Sequence, residues 1–237
     1  NKNEILRLDG DLDKIVNQRN HQVLEVGQPV DAIYNYEVEG IWQIDEAAEA
    51  MAFDGSRPGN YKYRDINNSG TRDEGDKKVL GSISPDWIGG MTNTFTYKNF
   101  DLSVNMYTRQ GSYGHSEFYG HFAPHSGDDA KFNGFDLDYW TPNNQDAKYP
   151  ALEYGAPGEW YYEDFSFVKV GNIGLGYNAA PGLLETLKMS SLRLTLNVQN
   201  PFTFTDYKGP DPETGLMNSY RGGYMNKTVL FGLKLSY

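Results

Sequence analysis

The stretch Asp65-Ile-Asn-Asn-Ser-Gly-Thr-Arg-Asp-Glu-Gly-Asp76 carries the pattern in this chain that points most directly to chemistry. Asp65, Asn67 and Ser69 stand at positions 1, 3 and 5 of a calcium-loop spacing, and Gly70 stands at 6. The Thr71 carbonyl follows at 7, Asp73 at 9 and Asp76 at 12. Hard oxygen donors at alternate positions can wrap a cation while glycine supplies the sharp turn. Two features weaken the set. Ser69 is a neutral ligand, and Asp76 replaces the longer glutamate that binds through both oxygens. No helix pattern flanks the loop, so the reading is a structural Ca2+ loop and not a sensor hand. Its rival is a loop closed by Asx turns.

Other chemistry is sparser. His115, His121 and His125 share one long segment with Asp128 and Asp129, but their spacing matches neither a helix face nor a hairpin face. A zinc site is therefore not expected there. The aromatic residues Tyr113, Phe118, Tyr119, Phe122, Tyr139 and Trp140 of the same segment could stack on a sugar, and packing is the simpler reading. Gly171-Asn-Ile-Gly-Leu-Gly176 is a strand with glycines, because no helix pattern follows it as a dinucleotide fingerprint requires. No nucleophile motif or phosphate loop occurs, and the chain reads as a non-enzyme.

The elements around these residues are strands. In Asn226-Lys-Thr-Val-Leu-Phe-Gly-Leu-Lys-Leu-Ser-Tyr237, Val229, Phe231, Leu233, Leu235 and Tyr237 take every second place. A period of two with one apolar face is a strand, long enough to cross a bilayer at ~9–11 residues. Residues 91–107 read as a hairpin turning at Lys98-Asn99. This register sets Tyr97 against Phe100, Phe95 against Leu102, Asn93 against Val104 and Met91 against Met106. Residues 165–177 read as a strand with a bulge near Gly171-Asn172, where the apolar parity changes. Leu192, Leu194, Leu196 and Val198 mark another strand.

Upstream, residues 21–26 and 32–42 flank a turn at Gly27-Gln-Pro-Val30. The second of these has an apolar face of Ala32, Tyr34, Tyr36 and Val38 and a largely polar opposite face. Asp45 offers an N-cap for a short loop helix over 45–52, and residues 181–187 read as a compact turn or one helical turn. Short connections alternate with long ones at 44–85, 110–163 and 205–224, which places the long ones at one end of the sheet.

The chain has 237 residues, no cysteine, and a mean hydropathy of −0.65. No run of 18 apolar residues exists, which excludes a transmembrane helix but not a membrane barrel, whose strands are apolar on one face only. The 18 Tyr, 12 Phe and 4 Trp favour strands and suit aromatic girdles at a bilayer interface. A net charge of −11 argues against a nucleic-acid partner, since phosphate contacts need basic surface. The chain opens at Asn1 inside what reads as an element under way, so it is taken as a C-terminal piece of something longer. Seven strands are too few, and of the wrong parity, to close a barrel alone.

Six stretches in order resemble one family, the SusC/RagA-type TonB-dependent outer-membrane transporters of Bacteroidetes. They are Tyr34-Asn-Tyr-Glu-Val-Glu-Gly-Ile-Trp42, Pro58-Gly-Asn-Tyr-Lys-Tyr-Arg-Asp-Ile-Asn-Asn-Ser-Gly70, Gly81-Ser-Ile-Ser-Pro85 and Thr96-Tyr-Lys-Asn-Phe-Asp-Leu102. Phe165-Ser-Phe-Val-Lys-Val-Gly-Asn-Ile-Gly-Leu-Gly-Tyr177 and Asn200-Pro-Phe-Thr-Phe-Thr-Asp-Tyr-Lys-Gly-Pro-Asp-Pro-Glu213 complete the set, and the terminal strand follows. The resemblance implies an all-β fold: the C-terminal strands, about seven, of a large antiparallel transmembrane β-barrel with long extracellular loops.

A barrel of about 22 strands with a plugged lumen is the implied whole. Residues 1–237 would be its C-terminal portion, with the plug and the N-terminal barrel strands upstream. The implied function is TonB-dependent import of a nutrient oligomer, glycan or peptide, across the outer membrane. Implied partners are a SusD-like lipoprotein, TonB through the upstream part, an oligosaccharide or peptide substrate, outer-membrane lipid, and a second copy in a dimer of transporter–lipoprotein pairs. The alternative from another class is a secreted, calcium-stabilised β-sandwich that binds carbohydrate.

Overall fold

In the computed structural model, residues 3–10, 12–17, 22–116, 138–152, 162–215 and 225–237 are described. The long strands make one antiparallel sheet. β7 (Trp87–Tyr97), β8 (Phe100–Gln110), β11 (Phe167–Asn178), β12 (Ser191–Phe204) and β13 (Thr228–Ser236) follow one another as neighbours in chain order. They run 11, 11, 12, 14 and 9 residues, each sufficient to cross a bilayer at ~9–11 residues.

The hairpin register is the expected one: Tyr97 faces Phe100, Phe95 faces Leu102, Asn93 faces Val104 and Met91 faces Met106. Lys98 makes the tight turn in the left-handed region, at φ 52. The bulge also falls where the parity change placed it, with the register of β11 shifting between Val170 and Asn172 against both neighbours. On the β12 side, Asn200 and Pro201 oppose the shifted residue. A proline has no N–H to give a ladder, so an interior strand tolerates it at a bulge. Asn200 supplies the kink by adopting φ 51. β12 thus continues through Pro201 to Phe204 and does not end with the Leu/Val alternation.

One face of this sheet is apolar and open. Phe95, Tyr97, Phe100, Leu175, Leu196, Phe231 and Leu233 are exposed on it, Tyr97 by 71% and Phe231 by 72%. No second sheet covers them among the described residues, which sets the face apart from a sandwich interior. Tyr97, Phe100, Tyr177 and Tyr237 stand in a row across the tight-turn end, with Phe100 and Tyr177 in ring contact at 4.8 Å. Trp87, Phe202 and Phe204 stand towards the other. Ten residue steps of ~3.4 Å along β7, tilted by ~40°, project to roughly 26 Å, the height of a bilayer's apolar band. The inner face alternates polar and small: Thr94, Thr96, Asp101, Ser103, Asn105, Thr195 and Asn197.

Connections sort by end. Two residues join β7 to β8, and a helix at Pro181–Leu187 fills the β11–β12 connection, a fuller structure than a single turn. The 111–166 and 205–227 connections leave from the opposite end, as does the segment before Trp87. That end carries the rest of the described chain. β1 (Lys14–Asn17), β2 (Gln22–Glu25), β3 (Ala32–Tyr36) and β6 (Lys77–Ser82) form a sheet in the order β1-β2-β3-β6. β4 (Val38–Ile41) pairs with β5 (Tyr61–Tyr63), and β9 (Tyr113–His115) pairs with β10 (Tyr162–Asp164).

Two local expectations are corrected here. The 32–42 segment is not one strand but two, β3 and β4, in different sheets. Nor does β3 have a wet face, because Ala32, Ile33, Tyr34 and Asn35 are all buried. The helix Ala47–Asp54 follows a 3-10 turn, Ile44–Glu46, whose cap is Gln43 and not Asp45. The Gln43 N–H donates to Glu46 Oε2 at 2.9 Å, and Ala50 and Phe53 are buried against Trp42 and Tyr63. Residues 138–152 dock on this layer through Trp140, whose Nε1 donates to Gln43 Oε1 at 3.0 Å, and through Ala151 N to Gly59 O at 2.9 Å.

Candidate functional site

Three polar groupings occupy the inner wall and the loop layer above it. The first is the 65–76 loop. Asp76 is fully buried, and its carboxylate accepts from Ile66 N at 2.9 Å, Asn67 N at 3.4 Å and Asp73 N at 2.9 Å. Burial opposes its ionisation, but those backbone donors outweigh it and hold the carboxyl below the usual range. Asp65 accepts from Ser69 N at 3.0 Å and Gly70 N at 2.8 Å, and its carboxyl lies within hydrogen-bond reach of Asp76.

Asp73 accepts from Gly75 N at 2.6 Å and Asn67 Nδ2 at 3.0 Å, while the Ser69 hydroxyl donates to Thr71 O at 2.7 Å. Asp65 and Asp76 are thus brought together. Asp73, Asn67, Ser69 and Thr71 are turned towards one another and towards chain amides. Among the described residues, no group of three or more His, Cys, Asp or Glu side chains gathers into a metal cluster. The arrangement has the Asx-turn character that was the rival reading. His121, His125, Asp128 and Asp129 lie outside the described residues. His115, on β9, packs edge-on to Tyr162 with ring centroids 5.6 Å apart.

The second grouping was not legible from motifs. Lys169 points inward from β11 and is 2% exposed. Its Nζ donates to both oxygens of Asp211 at 2.8 Å and to Glu213 Oε2 at 2.8 Å. Tyr107 Oη donates to Glu213 at 3.0 Å, and Arg109 Nη2 donates to the Pro212 carbonyl at 3.1 Å. Burial raises the Glu213 carboxyl, but the hydrogen bonds from Lys169 and Tyr107 outweigh it and bring the group below its usual range. The 211–213 segment is therefore fastened into the wall near the long-connection end. The inward parity of Lys169 was readable, but its partners lie 42 and 44 positions away.

The third is Glu163 on β10. Burial pushes its carboxyl up to about 7, against the lowering pull of Ser116, Lys148 and Lys208. Ser116, fully buried, shares a 3.3 Å contact with the Tyr207 hydroxyl, and Tyr207 packs on Phe165 at 4.6 Å between ring centroids. Glu163 is thus where the β9–β10 ribbon, the 138–152 segment and the 205–211 connection converge.

No protein-family model matches the chain. TonB-dependent receptor P3 of Formosa agariphila is 30% identical over 263 aligned positions, which take in 100% of this chain and 26% of that protein. TonB-dependent receptor SusC of Bacteroides thetaiotaomicron is 29% identical, again over 100% of this chain and 23% of that protein. A solved structure of the RagAB peptide transporter superposes on 99% of this chain and 26% of the other chain. The TM-score is 0.72 at 19% identity, so this likeness speaks to the fold. The chain spans about a quarter of the length of the relatives it matches.

Proposed function

We propose, from the premise that this chain is homologous over its whole length to about a quarter of the SusC-type TonB-dependent receptors, that it forms part of the wall of an outer-membrane importer. The observation that carries this is the two-faced five-stranded sheet. Its outer face is exposed, apolar and bounded by aromatic side chains, and its inner face is polar and ion-paired. That division is the one a membrane barrel with a hydrated or plugged interior requires. A sandwich would hide its apolar face against a second sheet.

In this reading the tight turns face the periplasm, and the layer built from residues 3–86, 111–116, 138–152 and 162–166 faces outside. The cargo is a nutrient oligomer, glycan or peptide. A SusD-like lipoprotein covers the outer mouth, TonB supplies energy through the upstream part, and transporter–lipoprotein pairs dimerise. The 65–76 loop is proposed as a structural Ca2+ loop. Asp65 and Asp76 already adjoin, and binding would turn Asp73 from Gly75 and Asn67 towards the ion.

The test uses the full-length protein in a Bacteroidetes host. Expected are recovery in the outer-membrane fraction and uptake of labelled oligomer that stops when TonB is deleted. Recovery as a soluble secreted product, or uptake indifferent to TonB, would sink the reading.

A further inference from the structure

We infer that the outward face of the main sheet, at its long-connection end, seats one phosphorylated glycolipid of the outer leaflet. An acyl chain lies in a hollow over β7, β8 and β11, and a phosphate meets Lys227. The hollow measures about 400 Å³, and Trp87, Gly89, Met91, Met106, Thr108 and Val168 line it. All six stand in the register that turns Phe95 and Leu102 outward.

Gly89 makes the hollow. A Cβ there would stand 3.3 Å from the Trp87 ring and 3.5 Å from the Thr108 methyl, so a longer side chain would take up the space. Glycine weakens a strand interior and often marks the close approach of a ligand. The upper wall is made apolar by internal pairing. Thr108 turns its hydroxyl to the Phe167 carbonyl at 2.7 Å. The Gln110 amide donates to that hydroxyl at 2.8 Å and to the same carbonyl at 3.0 Å. What remains for a ligand is methyl, thioether and ring surface. A side chain from a strand beyond β7 would have to cross β7 and β8, at ~4.8 Å each, to reach Val168. The hollow therefore opens to lipid.

The same level of the sheet carries a cation. Phe202 is in register with Val170, Met106 and Met91, and Phe204 with Val168, Thr108 and Gly89. Phe202 and Phe204 are both more than half exposed, with ring centroids 6.5 Å apart. Lys227 Nζ stands 5.9 Å from the Phe202 centroid, and among the described residues it meets no carboxylate. An ammonium over an outward ring at the bilayer edge is placed to meet a lipid phosphate.

These features select a ligand class. An acyl chain asks for no hydrogen bond, whereas a sugar or peptide in the hollow would leave its polar groups unpaired. β11 and β12 separate the hollow from Lys227, a span of roughly 10–15 Å at ~4.8 Å per strand. A glycerophospholipid carries its phosphate directly above its two chains. A phosphorylated, multiply acylated disaccharide spreads chains and phosphates over a wider footprint and can reach both. The inference rests on the outer-membrane reading of the apolar face.

The test is native mass spectrometry of the full-length protein in detergent, titrated with lipid A, phosphatidylglycerol or phosphatidylethanolamine. One lipid A should bind, about tenfold more tightly than either phospholipid. Gly89→Leu and Lys227→Gln should each weaken it about tenfold, and Lys227→Arg should stay within about threefold. Dephosphorylated lipid A should bind Lys227→Gln and wild type alike, because both changes remove the same contact. Leu196→Ala, outward but away from the hollow, should change nothing. Heat-modifiable gel mobility checks folding, and the exposed Lys227 variants carry the test if Gly89→Leu is not folded. Equal or tighter binding of a phospholipid, unchanged binding by folded Gly89→Leu or by Lys227→Gln, or an equal loss in Leu196→Ala would overturn the inference. So would a full-length structure in which a neighbouring side chain fills the hollow. Outer-membrane recovery and TonB-dependent uptake of the wild type, measured in parallel, keep failure of the lipid site distinct from failure of the importer reading.

Discussion

Arg193 on β12 reaches over β11 to grip Asp101 on β8, with Nη1 to Oδ1 at 2.7 Å and Nη2 to Oδ2 at 2.8 Å. The strand between them contributes Gly176, and a Cβ there would collide with the guanidinium and with the carboxylate. Two strand spacings of ~4.8 Å are thus bridged by one fork-to-fork pair because the residue beneath has no side chain. We expect Gly176→Ala to break the pair and lower the thermal midpoint of the full-length barrel in detergent by more than Asp101→Asn does. Equal midpoints for the two variants would show that Gly176 has no such role.

Lys169 is expected to matter most through the charges it leaves behind. Lys169→Met strands Asp211 and Glu213 next to a buried wall, a loss of about 3–5 kcal/mol for a broken buried pair. Hydrogen exchange in residues 205–215 should accelerate accordingly. Adding Asp211→Leu should recover part of the loss, since an apolar replacement of the pair is far less unfavourable than half of it.

Glu163 gives the loop layer a pH dependence with a definite sign. Its packed-state value of about 7 lies above the ordinary glutamate value of 4.5, so the packed arrangement favours the protonated form. The stabilisation is complete below about 4.5, falls as pH rises through 7, and is gone above that. The protection of β9 and β10 against hydrogen exchange, corrected for the intrinsic pH dependence of exchange, should therefore fall between about pH 5 and pH 8, the span that contains that value. Glu163→Gln should flatten this profile.

The two faces of the main sheet should respond oppositely to a charge. Val104→Arg, outward and near mid-strand, should cost ~2–4 kcal/mol and reduce the protein recovered in the outer membrane. Ser103→Arg, one residue away on the inner face, should be recovered near the wild-type level. Comparable recovery of both would contradict the lipid-facing assignment.

Calcium should raise the thermal midpoint of the full-length protein if the 65–76 loop takes the ion, and chelation should reverse the rise. Asp65→Asn and Asp76→Asn should each remove the response. A midpoint indifferent to millimolar calcium would mean that the amides alone hold the loop.

Local pattern determined much of this protein. The two-residue period of the terminal strand, the Lys98-Asn99 turn with its register, and the bulge at Gly171 were readable because each depends on near neighbours in sequence. The facing of Phe95, Leu102 and Val104 followed from the same alternation. The order of the six resembling stretches pointed to the family, which the whole-chain relatives bear out. Tertiary structure decided the rest. β3 and β4 lie in different sheets, and residues 32–35 are buried on both faces, Ala32 and Tyr34 against Val23 and Val79, which no period could announce. Gln43 caps the loop helix because Glu46 and Trp140 both engage it, the latter from 97 positions away. Arg193 finds Asp101 across 92 positions, and Lys169 finds Asp211 across 42. Alternation tells which way a side chain points, whereas a buried charge is matched only by whatever residue the fold brings within ~3 Å of it.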